Sequence, residues 1–213
     1  MLIRLLSVVL LLGVFNVSVA QVDGEPSRTI RTGKNEVTAL AVSPKGDHVL
    51  VGLADGAVYC NIESGKKVFA FPYSEDKGTA VYHVGSNDNG EYAVLIGHSG
   101  KRTVWNLVTG KQEKVLAAHR WVPDPRAVKA MGLNMSNSTF DRFYQQREVM
   151  LGDVTVRAAK NGSVEFVDAE GKVQRTIDYP ANKDQHHLAP LLLWDAYLLV
   201  GADNGDVYFY KTF

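Results

Sequence analysis

An internal repeat constrains this chain of 213 residues more than any other feature of its sequence. Residues 46–66, GDHVLVGLADGAVYCNIESGK, align with residues 90–111, and a third copy spans residues 152–172. The chain ends on a fourth copy, WDAYLLVGADNGDVYFYKTF. One glycine recurs at the same turn of every copy, with separations of 44, 62 and 43 residues: Gly56, Gly100, Gly162 and Gly205. A period of this size indicates one supersecondary unit per copy, stacked side by side.

Each copy consists of alternating or apolar runs separated by turn residues, the pattern of antiparallel strands joined by tight hairpins. In the first copy the predicted strands are Val37–Val42, Val49–Leu53, Ala57–Ile62 and Lys67–Phe71. Helical periodicity is absent, so the predicted fold class is all-β. The repeat length favours a small β-propeller of four four-stranded blades, with repeats at 36–72, 78–117, 126–179 and 188–213.

The two ends of the repeat array complement each other. The fourth copy stops after its third strand, while residues 27–32, SRTIRT, repeat the Arg-Thr-Ile of the segment VQRTIDY in the third copy. We therefore expect residues 28–32 to supply the missing strand and to close the array, because an unpaired sheet edge invites aggregation.

The long gap between the second and third copies leaves the number of blades open. Its surplus of about 18 residues is too short for a whole blade of about 40 residues. We predict an insertion at residues 132–149, with residues 126–133 forming an irregular strand. A five-bladed ring with one poor blade, and an open arc of four blades that dimerises, are the alternatives.

The first 20 residues have the composition of a signal peptide rather than of a packed domain. Arg4 precedes an apolar run, Leu5 to Val14, that is too short for a membrane span. Small residues lead to Ala20, after which we predict cleavage, leaving residues 21–213 as one propeller domain. The predicted location is therefore exported, periplasmic or secreted, with no stable membrane insertion after cleavage.

Charge and cysteine content exclude several classes. The 23 basic and 23 acidic residues cancel, so the composition gives no indication of nucleic-acid binding. The lone Cys60 excludes an intramolecular disulfide framework, and its strand-like setting indicates a buried, inert thiol.

Two segments resemble a known family. ALAVSPKGDHVLVGLADGAV is similar to the first half of a WD-repeat propeller blade, and RTVWNLVTGK is similar to the second half. Trp105-Asn106 stands where that family has Trp-Asp, and the family's His-to-Asp network is not traceable. GAVYCNIESGK also resembles the repeat of quinone-binding propellers, which is the alternative subfamily. Either resemblance implies a propeller.

Strand direction predicts which loops share a face. The second-to-third strand turns and the links between blades emerge together, which places several functional residue types on one surface. We predict that this loop face binds a partner or ligand through His98, His119, Arg120, Trp121, Asp184, His186 and His187. No metal site is predicted, because no pair has the spacing of structural zinc ligands. Asn134 and Asn137 fit the N-glycosylation pattern, which applies if the source is a eukaryote.

No linear motif for catalysis is present. The chain has no haem-attachment motif, nucleophile elbow or phosphate-binding glycine loop, so no catalytic residue and no cofactor are predicted. The predicted function is an exported, non-catalytic scaffold that binds a protein partner or an extracellular ligand. The alternative is a propeller enzyme, a lyase, hydrolase or quinone-dependent oxidoreductase, with its site near the central channel. A structural module of an envelope or matrix assembly is a third possibility.

Overall fold

The computed structural model describes residues 22–75, 78–97, 100–117, 146–179 and 189–213, which form four antiparallel sheets of four strands each. Sheet I contains β2 (Val37–Val42), β3 (His48–Leu53), β4 (Gly56–Asn61) and β5 (Lys67–Phe71). Sheet II contains β6 (Val81–Ser86), β7 (Tyr92–Gly97), β8 (Arg102–Asn106) and β9 (Gln112–Leu116). Sheet III contains β10 (Glu148–Leu151), β11 (Val154–Ala158), β12 (Val164–Val167) and β13 (Val173–Ile177). Sheet IV contains β14 (Leu191–Trp194), β15 (Tyr197–Gly201), β16 (Asp206–Lys211) and, from the start of the described chain, β1 (Arg28–Arg31).

The sheets are arranged as the blades of a propeller. Their first strands contact one another, β10 with β14, β14 with β2 and β2 with β6. These contacts order the sheets III, IV, I and II around a common axis. The last strand of each sheet is mostly exposed, because it lies farthest from that axis. The all-β fold predicted from the repeat is confirmed.

Three hydrocarbon cores join neighbouring sheets. Each core is built from the buried side chains that two neighbouring sheets direct toward each other. The III–IV core includes Val156, Phe166, Leu191, Leu198 and Tyr210. The IV–I core includes Ile30, Leu40, Val51, Leu199 and Phe209. The I–II core includes Leu50, Phe71, Val84, Leu95 and Trp105. None of these three cores joins sheet II to sheet III.

The N-terminal strand lies where the repeated Arg-Thr-Ile motif predicts it. Ile30 is opposite Val207 and fully buried, and Arg28 is opposite Phe209. The segment before β1 continues along the same strand, since Val22 forms a bridge with Thr212 and is itself buried. Sheet IV is therefore built from both ends of the described chain.

The turn residues take the roles that the repeats predict for them. Gly205 has φ +88°, and a Cβ there would lie 2.9 Å from the backbone oxygens of Gly33 and Asn35. At the third-to-fourth strand turns, the side-chain oxygen of Asn106 accepts the backbone N–H groups of Val108 and Thr109, both at 2.9 Å. These short polar side chains thus satisfy turn backbone that would otherwise be unpaired.

The predicted boundaries of the third repeat need one correction. Its first strand is β10, so residues 148 and 149 belong to a strand and not to the predicted insertion at 132–149. The reason is the alternating burial of β10 and the two-residue Gly152-Asp153 turn that pairs Leu151 with Val154. The predicted irregular strand at 126–133 lies outside the described residues. Within the described ranges, no helix is long and apolar enough to span a membrane.

Candidate functional site

The residues predicted to bind a partner all fall in segments outside the described residues. This holds for His98, for His119, Arg120 and Trp121, for Asp184, His186 and His187, and for the sequon residues Asn134 and Asn137. The described residues that flank these segments lie at strand ends on one side of the molecule. Gly97 ends β7, Ala117 follows β9, Gln146 precedes β10 and Ala189 precedes β14.

Two opposite faces of the molecule follow from strand direction. The connection face carries the second-to-third strand turns and the links between sheets, and the turn face carries the remaining hairpin turns. Hydrogen bonds between sheets confirm this grouping for the connection face: Val37 N donates to Ala202 O at 3.1 Å, and Gly97 N donates to the Tyr73 hydroxyl at 3.0 Å.

A polar basin of about 600 Å³ opens on the connection face of sheet III. The described residues that line it come from the start of β10, the end of β11, the turn that follows and β12: Arg147, Glu148, Arg157, Ala158, Ala159, Lys160, Asn161 and Glu165. Arg157 donates from Nε and Nη2 to one carboxylate oxygen of Glu165, at 3.0 and 2.8 Å. The basin is therefore a charged site, in which Arg157 and Glu165 form an ion pair.

Gln146 fixes the edge of this basin to two other sheets. Its side-chain amide accepts from Leu40 N at 2.7 Å and donates to Leu40 O at 2.9 Å, as a neighbouring strand would. Its own carbonyl accepts from Leu191 N at 2.7 Å. Gln146 adopts φ +46°, a left-handed conformation that non-glycine residues occupy at a cost. One residue thus ties sheet III to sheets I and IV near the axis.

A groove of about 320 Å³ runs along the turn face between sheets I and II. The described residues that line it come from the first turns of both sheets, from strands β3, β4 and β5 of sheet I, and from the third-to-fourth strand turn of sheet II: Ser43, Pro44, Lys45, Asp47, His48, Tyr59, Val68, Phe69, Gly90, Leu107 and Val108. His48 and Tyr59 stack with ring centroids 4.6 Å apart. Val108 is 74% exposed and Val68 is 45% exposed, so two aliphatic side chains are presented to solvent at one cleft.

A serine, an aspartate and a histidine meet in this groove, and their order excludes a nucleophilic relay. The Ser43 hydroxyl donates to Asp47 Oδ1 at 2.7 Å, and His48 Nδ1 lies 2.9 Å from the same oxygen. A nucleophilic serine needs the imidazole next to its hydroxyl, whereas here the carboxylate lies between the two. The contact with His48 and the hydrogen bond from Ser43 lower the pKa of Asp47. Ser43, Asp47 and His48 therefore stabilise the turn between β2 and β3.

Two other potentially reactive side chains, Cys60 and His83, are buried and half-buried respectively. Cys60 is fully buried, and burial raises its pKa to about 11, so the thiol stays protonated at neutral pH. Burial lowers the pKa of His83, which lies on the face of sheet II that points away from sheet I. Among the described residues no three His, Cys, Asp or Glu side chains converge as metal ligands would.

Sequence reasoning missed the groove and the basin, although signals for both are present. Val108 follows Asn106, and the turn chemistry of Asn indicates that Val108 projects outward. Arg147 and Arg157 are far apart in sequence and meet only through the pairing of β10 with β11. The sequence-based prediction instead favoured the histidines of the long loops.

Comparisons with known proteins identify no family and give only distant matches among solved structures. No family model matches the chain, and no curated protein matches it. A solved structure described as RRP9 WD40 repeats is 16% identical, covers 84% of this chain and 50% of its own, and has a TM-score of 0.41. A structure of U3-55K is 14% identical, covers 81% of this chain and 50% of its own, with a TM-score of 0.40. The computationally designed Ika8 protein is 19% identical, with coverages of 82% and 45% and a TM-score of 0.32. The chain spans about half the length of each of these structures.

Proposed function

We propose that this protein is an exported, non-catalytic propeller module that binds an extended segment of a partner protein. The binding surface is the groove between sheets I and II on the turn face. The observation that carries the proposal is the exposure of Val108 and Val68 beside the stacked His48 and Tyr59 rings. Aliphatic and aromatic side chains gathered at one surface cleft are typical of protein contact sites.

The groove is shaped before any partner arrives. Asn106 holds the turn that presents Val108, with two hydrogen bonds of 2.9 Å to its backbone. Ser43 and Asp47 hold the opposite wall. Preorganised walls reduce the entropy lost on binding, so a short peptide segment gains affinity from a small apolar contact.

Charge around the groove indicates the chemistry of the segment. Asp47 already receives the Ser43 hydroxyl and contacts His48, whereas Lys45 has no ion pair in the described part of the chain. The cation on the wall is therefore available to a ligand. We infer a partner segment that places a large apolar side chain between Val68 and Val108, with a carboxylate next to it for Lys45.

Selection from a displayed library of random peptides tests this proposal directly. The wild-type protein should select peptides in which a large apolar residue adjoins Asp or Glu. Val108→Asp should weaken the selected peptides by about 30-fold or more, since burying a charge in a contact hot spot removes roughly 2 kcal/mol. Lys45→Ala should remove the preference for the acidic residue while the apolar preference stays.

Val173→Asp is the matched control, because Val173 is also an exposed valine, 40% accessible, on the outer strand of sheet III. It should bind the selected peptides like the wild type. The proposal is wrong if the wild type selects no consensus, or if Val108→Asp binds the same peptides with unchanged affinity.

Export rests on the composition of residues 1–20 and remains part of the proposal. An intact mass equal to that of residues 21–213 would support export, and an uncleaved chain in the cytoplasm would contradict it. The binding roles predicted from the sequence for His119, Arg120 and Trp121 stay a prediction, tested by their triple alanine variant in the same peptide selection and in recovery of native partners.

A further inference from the structure

In the basin on the connection face of sheet III, some hydrogen-bond donors of the lining residues are not paired with acceptors of the same lining. Three cations and two carboxylates line it. Arg157 and Glu165 neutralise each other through two hydrogen bonds. Arg147 and Lys160 have no ion pair in the described ranges, and the Nε atom of Arg147 is buried without a hydrogen-bond partner. A buried donor left unpaired is unfavourable, so a ligand that accepts a hydrogen bond from it is stabilised.

Asn161 adds a donor of defined direction to these cations. Its side-chain oxygen accepts from Ser163 N at 3.1 Å and from the Ser163 hydroxyl at 2.7 Å. These two bonds orient the amide, so its NH₂ group remains as a donor on the basin wall. The wall that contains Arg147, Lys160 and Asn161 therefore consists of donors.

The backbone that supports Arg147 is fixed from three sides. The Arg147 carbonyl accepts from Ala158 N at 3.1 Å. The preceding residue, Gln146, makes the three hydrogen bonds that tie it to Leu40 and Leu191. Arg147 thus begins from a rigid point near the axis, and a preorganised donor binds an anion with little loss of conformational entropy.

We propose that this basin is a second binding site, for a small molecule with carboxylate or phosphate groups. Its volume of about 600 Å³ lies within the range of small-molecule sites. Arg147 and Lys160 supply charge, and the Asn161 amide supplies an additional hydrogen bond. The site lies on the face opposite the groove and is independent of the proposed peptide site.

Inorganic phosphate and citrate are the probes, each compared with sodium chloride at equal ionic strength. Calorimetric titration of the full mature protein should show one site for at least one probe. The same probe should raise the melting temperature by a few degrees at saturation. Arg147→Met and Lys160→Met should each weaken binding about tenfold or more, because a charged hydrogen bond is lost while the apolar stem is kept.

Lys111→Met is the matched control, since Lys111 is an exposed lysine on the turn face. It should bind both probes like the wild type. Binding of phosphate alone identifies a phosphate ligand, and binding of citrate alone identifies a carboxylate ligand. Lys160→Met keeps the test decisive if Arg147→Met lowers stability by itself, because Lys160 lies on an exposed turn. The proposal is overturned if neither probe acts beyond chloride, or if the Lys160→Met protein binds with wild-type affinity.

Discussion

The faces that meet in the three cores differ sharply from the faces that sheets II and III turn away from those cores. On sheet II that outer face combines aliphatic side chains, Val94, Ile96 and the 7% exposed Val104, with the polar His83 and Arg102, which are both strand partners of Ile96. On sheet III it combines the Arg157–Glu165 ion pair with Thr155, whose strand partners are Met150 and the buried Val167. In each of the three cores, by contrast, both sheets contribute hydrocarbon.

This difference in side-chain composition indicates which pairs of sheets pack directly against each other. Hydrocarbon against hydrocarbon releases about 25 cal/mol for each Å² buried. Packing sheet II directly on sheet III would instead strip water from the Arg157–Glu165 pair, and such dehydration can exceed the attraction between the charges. Each of these two outer faces therefore carries charged side chains, which the three hydrocarbon cores do not contain. In the sequence, residues 118–145 separate these two sheets.

Removal of the N-terminal strand should have the largest effect, because it destroys one side of the IV–I core. Deleting residues 28–32 removes Ile30, uncovers Phe209 and leaves the edge of β16 unpaired. An exposed apolar edge strand pairs with other chains. We expect loss of the soluble monomer, measured by size-exclusion chromatography with light scattering.

Thr29→Ala is the control for that deletion, since Thr29 lies on the same strand and is exposed. It should remain monomeric. A deletion variant that stays monomeric and melts like the wild type would show that β1 does not support the IV–I core.

Alanine substitutions at adjacent positions measure the contrast between the two kinds of face. Val156 is fully buried in the III–IV core, and Thr155 points to the opposite face of sheet III. Val156→Ala leaves a cavity and should lower the free energy of unfolding by about 1–3 kcal/mol. Thr155→Ala should change it by less than about 0.5 kcal/mol. Urea unfolding with an unchanged m-value checks both.

Leu95 and Val94 provide the same pair of positions in sheet II. Leu95 is fully buried in the I–II core, so Leu95→Ala should cost about 2–5 kcal/mol, and Val94→Ala should cost clearly less. If Val94→Ala or Thr155→Ala equals its buried neighbour in cost, the outer face is a fourth core and the contrast does not hold.

The strand pattern of the repeats is sufficient to predict most of the fold. Val37–Val42 and Lys67–Phe71 form strands with the predicted bounds, because alternation and turn glycines act locally. The pairing of Ile30 with Val207 follows from a repeated tripeptide, since equivalent strands carry equivalent residues. The prediction that the start of β10 belongs to an insertion is wrong, because four residues give too weak an alternation beside a long irregular stretch.

The candidate sites are not predictable in the same way. Gln146 gives no sequence signal for its role, because its hydrogen bonds to Leu40 span 106 residues and depend on how sheets assemble. The groove combines residues from two repeats, and only inter-sheet packing brings Tyr59 near Val108. The sequence of a single repeat specifies its own strands and turns. A site formed between two repeats depends on how the sheets pack, which no single repeat specifies.

Thiol reactivity gives the smallest perturbation and compares the two kinds of face within one molecule. The variant Thr155→Cys retains Cys60 as an internal reference in the IV–I core. At pH 8 an ordinary thiol is about one quarter ionised, whereas a thiol with a pKa of about 11 is roughly 0.1% ionised. Ionisation alone therefore predicts labelling at position 155 at least a hundredfold faster than at Cys60, and burial of Cys60 increases the ratio. Peptide mapping by mass spectrometry after alkylation measures both rates in one sample. In denaturant the two thiols should react alike, which controls for local sequence. Equal protection in the folded protein would mean that the outer face of sheet III is covered as tightly as the built cores, and the distinction between the two kinds of face would then be wrong.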